Sequence, residues 1–278
     1  MKKNFWRFAQ VILTISFTYL TIIKIDLDAL ISLLQNVDFT YIIISVVLFF
    51  FSQIVSSERL RLILNFNGYK ISFTNNFILY LMGIFYNFFI PGGFGGDAYK
   101  FYLMKKNYNW EMKKLFKLLV FDRLIGLGAL VCILLFIIQN FIFKLSLIIT
   151  IISMIVVLVL GFIIVKYIFK NQSIYLKSLG ISIINQFLQF LSILCIILSL
   201  GITDNFIEII VVFICSSIIS IFSIGGIGIR EYIFLISASF IKVSPEISAS
   251  LGLLFTFSAC FSTIPGLIYL VKKPKFLK

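Results

Sequence analysis

Residues 91–97 read PGGFGGD and end an apolar run that begins at residue 77. That run, 77–90, would reach only about 21 Å as a helix, which is less than the roughly 30 Å of a bilayer's hydrocarbon core. A second apolar segment, 206–241, is broken by residues 223–231, SIGGIGIRE. Freed backbone groups are tolerated at membrane depth only where they are buried in protein or line a wet cavity. The two breaks therefore predict glycine-rich turns inside a helical membrane protein.

The composition of the whole chain places it in a bilayer. Hydrophobic residues make up 61% of the 278 residues, charged residues make up 13%, and 33 residues are Phe. This leaves too little polar surface for a water-soluble fold. Six runs are long and apolar enough to span the membrane: residues 8–23, 39–56, 115–138, 145–165, 178–200 and 248–270.

Charge and residue counts exclude several classes of function. The formal net charge of +13 is explained by the positive-inside rule, so nucleic acid is not an expected partner. The chain contains no His, the commonest general base and metal ligand. Its four cysteines lie in apolar runs without CxxC spacing. We therefore expect no metal, no cofactor and no disulfide, and no enzyme activity follows from these residues.

The placement of charges predicts which side of the cell membrane each segment faces. The N-terminus, residues 57–76 and residues 97–114 are basic and belong inside, whereas residues 24–38 and 201–208 are acidic and fit outside. The broken segment between 57–76 and 97–114 should therefore enter and leave from the cytoplasm. By the same logic, residues 204–247 form a re-entrant hairpin from the exterior, and both termini are cytoplasmic.

The order of these segments predicts an internal repeat. Segment starts near 8, 39, 77 and 115 correspond to starts near 145, 178, 206 and 248, and the Gly-Gly pairs at 92 and 225 are offset by 133. Each half, about 1–140 and 141–278, has three crossings, so the second half is inverted relative to the first. Inverted repeats with broken helices are typical of secondary transporters. The alternative is eight ordinary helices with incidental glycines.

The predicted fold is thus an all-α polytopic membrane protein with a single membrane domain. It has about six spanning helices and two glycine-broken re-entrant hairpins arranged as an inverted repeat.

The first break has the residue types of an anion site. Its glycines let the backbone approach a ligand, and the helix that begins after Asp97 points its positive end into the break. Asp97 can instead be a helix N-cap, Lys100 can pair with Asp97 or with a phosphate, and Asn87 can hydrogen-bond across the break. The candidate residues here are Asn87, Gly92, Gly93, Gly95, Gly96, Asp97 and Lys100.

The second break ends in a charged pair at membrane depth. Arg230 is the leading phosphate ligand, because its planar fork binds two oxygens at once. Glu231 can balance that charge, orient the side chain or carry a proton, and a salt bridge that only locks the hairpin is the alternative. The candidate residues here are Gly225, Gly226, Gly228, Arg230 and Glu231.

Asp122 and Arg123 form a third candidate pair, in the span that follows the first break. Adjacent helical residues diverge by about 100°, so we expect the two side chains to reach different helices or to tie the first hairpin to the bundle. Gly126 and Gly128 permit close helix contact there. Glu58, Arg59 and Arg61 flank a span end and are interpreted as interfacial anchors.

Three of these motifs, in order and spacing, resemble those of a known family, the lysylphosphatidylglycerol synthase transmembrane region. They are Asn87 with PGGFGGD at 91–97, DRLIGL at 122–127 and GGIGIRE at 225–231. The resemblance implies a flippase-like module, as in the N-terminal part of the multiple peptide resistance factor. It implies movement of a lipid or lipid-linked intermediate between leaflets. Lysine transfer belongs to a soluble domain in that family, and we expect a stand-alone module here.

Three functions compete at this point. The first is a transporter of a phospholipid or polyprenyl-linked anionic lipid. The second is a membrane enzyme acting on lipid phosphates or lipid-linked glycan precursors, but the acidic pair Asp26 and Asp28 lies on the predicted outside. The third is a non-catalytic assembly partner. The expected partners are membrane lipids, with envelope-biosynthesis enzymes and a second copy of the chain left open.

Overall fold

A computed structural model describes residues 2–89, 95–168, 173–220 and 223–272. All regular structure in these ranges is helical. The helices are α1 (Lys2–Ile22), α2 (Leu27–Gln35), α3 (Phe39–Phe66), α4 (Phe73–Phe89), α5 (Gly95–Tyr108), α6 (Met112–Ile137, continued by a π-helical turn at Ile138–Ile142), α7 (Leu147–Ile168), α8 (Ser173–Ser199), α9 (Phe206–Ile219), α10 (Ile229–Ile236), α11 (Ala238–Ile241), α12 (Pro245–Ser262) and α13 (Ile264–Val271).

The protein is a multi-pass helical membrane protein, as the sequence predicts. Within the described ranges, five segments are long and apolar enough to cross a bilayer: Phe39–Phe66, Met112–Ile142, Leu147–Tyr167, Ile174–Ser199 and Pro245–Val271. They correspond to five of the six predicted spans. The remaining prediction, residues 8–23, lies in α1, a helix of 21 residues.

The centre of the bundle is an antiparallel pair formed by α3 and α8, the second span of each predicted half. Three side-chain pairs define this direction, since their numbers rise along α3 while they fall along α8: Ser45 with Ser192 (2.7 Å), Ser56 with Asn185 (2.9 Å) and Arg59 with Ser182 (2.9 Å). Small polar residues let the helix backbones approach closely and hydrogen-bond across the interface. The antiparallel direction is the one that an inverted repeat requires of equivalent helices.

The first broken segment is a hairpin whose two ends lie side by side. Asn75, at the start of α4, donates through Nδ2 to the hydroxyl of Tyr108, at the end of α5, over 3.3 Å. Beyond the hairpin, the Tyr69 ring packs on the Trp110 ring with centroids 4.7 Å apart. The chain therefore enters and leaves at the same end of the bundle, as the charge pattern predicts.

The second broken segment turns back in the same way at the opposite end. α11 packs against α9, and Val243, after α11, joins Ile202 and Phe206 at one apolar core. The amide of Asp38 donates to the carbonyl of Ser199 over 3.1 Å, which places the start of α3 beside the end of α8. The two hairpins therefore begin at opposite ends of the α3–α8 pair.

Charge separates between the two ends. One end, here called the basic end, carries Lys70, Lys105, Lys106, Lys113 and Lys114; the other, the acidic end, carries Asp26, Asp28, Asp38, Asp204, Glu208 and Glu246. Several acidic side chains also cap helices, because their oxygens accept from free amides. Asp26 accepts from the amides of Asp28 (2.9 Å) and Ala29 (3.2 Å), and Asp38 accepts from the amide of Thr40 (2.8 Å).

Both terminal helices direct their free ends toward the basic end. α1 runs from Lys2 to Ile22 and is followed by Asp26 at the acidic end. α13 packs against α4. Its residues Tyr269 and Leu270 pack against the apolar cluster at the basic end, which includes Tyr69. Both terminal helices thus have their free ends on the same side of the bundle, and the cytoplasmic location of that side stays a prediction from the positive-inside rule.

The helix neighbours also follow the predicted repeat. α6 and α12 each pack against both α3 and α8, and the contact of α4 with α13 has its counterpart in the contact of α9 with α6. These helices have equivalent partners in the two halves, whereas α1 packs against α10 and its counterpart α7 packs against α6.

Candidate functional site

The two hairpins meet inside the bundle. Phe88, near the end of α4, lies against Gly225, where a Cβ would come within 2.5 Å of the Phe88 ring. Gly225, Gly226 and Gly228 have φ values of 60°, 88° and 80°, a region that L side chains rarely adopt. The second break also touches α1, since the amide of Ile224 donates to Thr14 Oγ1 over 3.3 Å. A residue larger than glycine would therefore not fit at Gly225, where the two hairpins meet.

The first hairpin is closed by the contact of Gly96 with α4. A Cβ on Gly96 would overlap the carbonyl oxygen of Gly83. The Gly96 amide donates to Asn87 Oδ1 over 2.8 Å, so the predicted hydrogen bond of Asn87 across the break is present. This bond uses one of the free amides at the start of α5.

Asp97 is held by two cations. Its Oδ1 lies 2.6 Å from Lys100 Nζ, and its Oδ2 accepts from Arg123 Nε over 2.8 Å and lies 2.7 Å from Nη2. The Lys100 side chain crosses Gly83 and places its ammonium 4.6 Å from the centre of the Tyr80 ring. α5 begins at Gly95, so Asp97 lies in the first turn, and its interpretation as an N-cap is wrong.

Asp122 and Arg123 reach different helices, as expected from their adjacency. Arg123 binds Asp97 on α5, and Asp122 receives a bidentate pair from Arg59 on α3, with distances of 2.7 Å from Nε and 3.1 Å from Nη2. Arg59 also donates to Ser182 on α8 over 2.9 Å. Its guanidinium lies over Gly126, where a side chain would occupy the same space.

The interpretation of Arg59 as an interfacial anchor is therefore wrong. Its side chain is buried and fully paired, because α3 continues to Phe66 and carries Arg59 below the end of the span. Glu58 and Arg61, which pair with each other at 2.5 Å and are partly exposed, do lie toward the surface.

Arg230 is buried without a carboxylate. Only 7% of the residue is exposed, its Nη1 donates to Thr256 Oγ1 over 3.2 Å, and its Cζ lies 4.9 Å from the centre of the Phe255 ring. Its Nε has no hydrogen-bond partner. In the part of the chain that the structure describes, no Asp or Glu forms an ion pair with Arg230.

Glu231 serves its own helix. Its Oε2 accepts from the Gly228 amide over 2.6 Å, which closes a capping box at the start of α10. The carboxylate is buried and is directed to the backbone of the break. The prediction is that Glu231 balances Arg230, orients its side chain or carries a proton; among the described contacts the two side chains form no ion pair.

The two sites occupy equivalent positions of the repeat. Shifting the first break by 133 residues aligns PGGFGGD at 91–97 with IGGIGIR at 224–230. Asp97 then matches Arg230, and its partner Arg123 matches Thr256. Both hydrogen bonds join residues 26 apart in sequence. The same helix–helix contact thus carries an ion pair in one half and an unpaired arginine in the other.

The predicted site residues fall into two groups. Asn87, Gly95, Gly96, Asp97, Lys100, Asp122 and Arg123 lie at the first hairpin, and Gly225, Gly226, Gly228, Arg230 and Glu231 lie at the second; Gly92 and Gly93 lie outside the described residues. Sequence reasoning missed Arg59, Phe255 and Thr256. Only the 133-residue offset, applied to Arg123, could have indicated Thr256. Nowhere in the described ranges do three Cys, Asp or Glu side chains come together as metal ligands.

Comparison with known proteins agrees with this geometry. The family described as the lysylphosphatidylglycerol synthase TM region matches residues 7–179, a range that includes the first hairpin and ends before the second. A UPF0104 membrane protein of Methanocaldococcus jannaschii is 30% identical over 137 residues, which cover 48% of this chain and 41% of that relative. No solved structure matches the chain. The chain belongs to the lysylphosphatidylglycerol synthase transmembrane region family.

Proposed function

We propose that this protein moves an anionic lipid, a phospholipid or a polyprenyl-linked lipid, between the two leaflets without acting as an enzyme. The observation that carries the proposal is the unpaired guanidinium of Arg230, buried where the two hairpins meet. The family's description as part of a lipid synthase supports a lipid as the cargo.

The first step of the argument is electrostatic. A charged side chain inside a membrane protein is costly and is normally paired. Arg59 and Lys100 follow this rule, because each has a carboxylate partner. Among the described residues, Arg230 contacts a hydroxyl and an aromatic ring and forms no ion pair, so a bound anion would satisfy its charge. The guanidinium fork suits a headgroup phosphate.

The second step concerns access. The hairpins begin at opposite ends of the bundle, and Phe88 of the first touches Gly225 of the second, so the two meet between those ends. Because Arg230 is only 7% exposed, transport requires the hairpins to part so that a headgroup reaches Arg230 while its acyl or prenyl chains remain in the lipid. With the basic end on the cytoplasmic side, both termini are cytoplasmic and the second hairpin opens to the exterior.

Reconstitution tests the proposal. Purified protein is placed in liposomes containing fluorescent phosphatidylglycerol, and dithionite bleaching reports how much label changes leaflet. We expect transfer by the parent protein, almost none by Arg230→Gln, and partial transfer by Arg230→Lys, which keeps the charge but loses the planar fork. Arg61→Gln is the matched control, since Arg61 pairs with Glu58 near the surface, and it should transfer lipid normally.

Thermal stability separates a ligand role from a structural one. Removal of an unpaired buried charge should leave the melting temperature of Arg230→Gln equal to or above that of the parent. An active but destabilised Arg230→Gln, restored by Glu231→Gln, would refute the ligand role. Lack of transfer by the parent protein in liposomes would refute unaided lipid transport.

A further inference from the structure

The cluster of Asp97, Lys100 and Arg123 has more positive than negative charge. Both oxygens of Asp97 are occupied, one by Lys100 and one by Arg123. The neighbouring carboxylate of Asp122 is already bound to Arg59 through two hydrogen bonds. One cationic charge in this cluster therefore has no carboxylate of its own among the described contacts.

That excess charge is open to the surroundings at Arg123. Its side chain is 47% exposed, whereas those of Asp97 and Lys100 are 12% and 3% exposed. Arg123 lies eleven residues after the start of α6, about 17 Å along the helix. Asp97 holds the guanidinium at this depth, so the side chain does not extend to the membrane surface in the way that free arginines do.

The exposed face of α6 around Arg123 is mostly apolar, with Lys113 and Lys117 exposed on it toward the basic end. Phe116, Val120 and Leu124 are exposed at helical spacing beside it, which is the pattern of a face in contact with lipid. A cation on such a face at membrane depth is costly unless an anion accompanies it. Because this face borders lipid, a lipid phosphate is the favoured source of that anion.

The cluster and Arg230 lie at different depths. Arg59, which binds Asp122, and Phe49, whose ring packs on Phe255 with centroids 5.3 Å apart, are ten residues apart on α3. Ten residues of helix rise about 15 Å. Arg230 over Phe255 is thus nearer the acidic end, and Arg123 beside Asp122 is nearer the basic end.

We infer that Arg123, with Lys100 and Asp97, forms a second anion site that binds the phosphate of a lipid headgroup from the leaflet at the basic end. That a lipid binds at this second site before it reaches Arg230 rests on the proposed function. Binding itself does not, because the site is open to lipid whether or not transport follows. Asp97 competes with the phosphate for the two cations and keeps the empty site neutralised in part.

Binding is tested in detergent in the background of Arg230→Gln, which removes the deeper site. The probe is dioctanoyl phosphatidylglycerol, its affinity is read from the rise in melting temperature with concentration, and dioctanoylglycerol, which lacks phosphate, is the comparison. We expect Arg123→Gln to weaken binding about tenfold and Arg123→Lys to retain most of it. Arg61→Gln should leave the affinity unchanged.

Asp97→Asn distinguishes a site from a structural clamp. If Asp97 competes with phosphate, Asp97→Asn should bind the probe at least about tenfold more tightly, because two cations are released. Equal affinity in Arg123→Gln and its background, or weaker affinity in Asp97→Asn, would overturn the inference. Stabilisation by inorganic phosphate equal to that by the lipid would overturn the assignment of a lipid.

The two proposals fail separately. Binding that depends on Arg123 in a protein that transfers no lipid would refute the transport function alone. Transfer that depends on Arg230, with probe binding insensitive to Arg123, would refute the second site alone.

Discussion

The first and second hairpins place opposite charges at the same position of the repeat. Asp97 is enclosed by Lys100 and Arg123, while Arg230 meets Thr256 and Phe255. Both contacts join residues 26 apart in sequence, but the first joins the hairpin to α6 by an ion pair and the second joins α10 to α12 through the Thr256 hydroxyl. The comparison teaches that equivalent contacts of the repeat hold a carboxylate between two cations in one half and an arginine without an ion pair in the other.

The largest effect expected is an all-or-none difference in sidedness between the hairpins. In a background with all four cysteines replaced, Lys106→Cys and Glu208→Cys should react with an impermeant thiol reagent from the inside and from the outside, respectively. The reason is that these residues lie at the basic and acidic ends of the bundle. Labelling of both from one face would contradict the inverted repeat.

The next effect concerns closure of the first hairpin. Gly96→Ala should destabilise the protein by about 3 kcal/mol and abolish function, because the new Cβ has no space beside the Gly83 carbonyl. Gly128→Ala is the matched control in α6, where nothing lies within 4 Å of the added carbon, and it should change stability by less than about 1 kcal/mol. Unfolding followed in detergent measures both. Equal stability of the two variants would mean that the Gly83–Gly96 contact is not needed.

A carboxylate placed beside Arg230 should convert the second site into one like the first. In Thr256→Asp the new side chain can pair with Arg230, so lipid transfer should fall at least about tenfold while the melting temperature rises. Thr256→Asn has nearly the same shape without the charge and should keep most transfer. Normal transfer by Thr256→Asp in the liposome assay would show that an unpaired Arg230 is not required.

The smallest effect is expected at the α3–α8 interface, where the two halves meet. Ser45→Ala removes the hydrogen bonds of its hydroxyl to Ser192 at the α3–α8 interface and to Ser258 on α12, and such bonds within membrane proteins contribute about 0.6 kcal/mol each on average. Denaturant unfolding in mixed micelles measures this loss, with Ser217→Ala as the control. A loss above about 2 kcal/mol would mean that this interface, rather than the hairpin contacts, carries most of the cohesion.

Much of the architecture could be predicted from local sequence. Run length and hydropathy identified five spans that the structure contains, and the short run before residue 91 correctly indicated a hairpin. Charge placement separated the two ends correctly, since the basic and acidic segments it identified lie at opposite ends of the bundle, while which end faces the cytoplasm stays a prediction. The end of the third helix was harder to predict, because α3 continues to Phe66 through polar residues that a hydropathy window treats as a boundary.

The partners of the charged residues could not be predicted in this way. The sequence predicts that Arg59 is an interfacial anchor. In the structure, α3 packs against α6 and α8 and brings Arg59 to Asp122 and Ser182. In the same way, Glu231 is next to Arg230 in sequence, but its carboxylate accepts a hydrogen bond from the Gly228 amide at the start of α10. Adjacent residues on a helix point in different directions, so the nearest charge in sequence is often not the nearest charge in space.

The sequence by itself determined the membrane environment, the two breaks and the distribution of charge between the ends. Those properties depend on the length, hydropathy and charge of short segments, which act on the surrounding lipid and water directly. Only the tertiary structure decided that Asp97 is held in ion pairs and that Arg230 forms none among the described residues. An ion pair requires side chains from separate helices to meet within a few ångströms, and that distance is set by how α5, α6, α10 and α12 pack together.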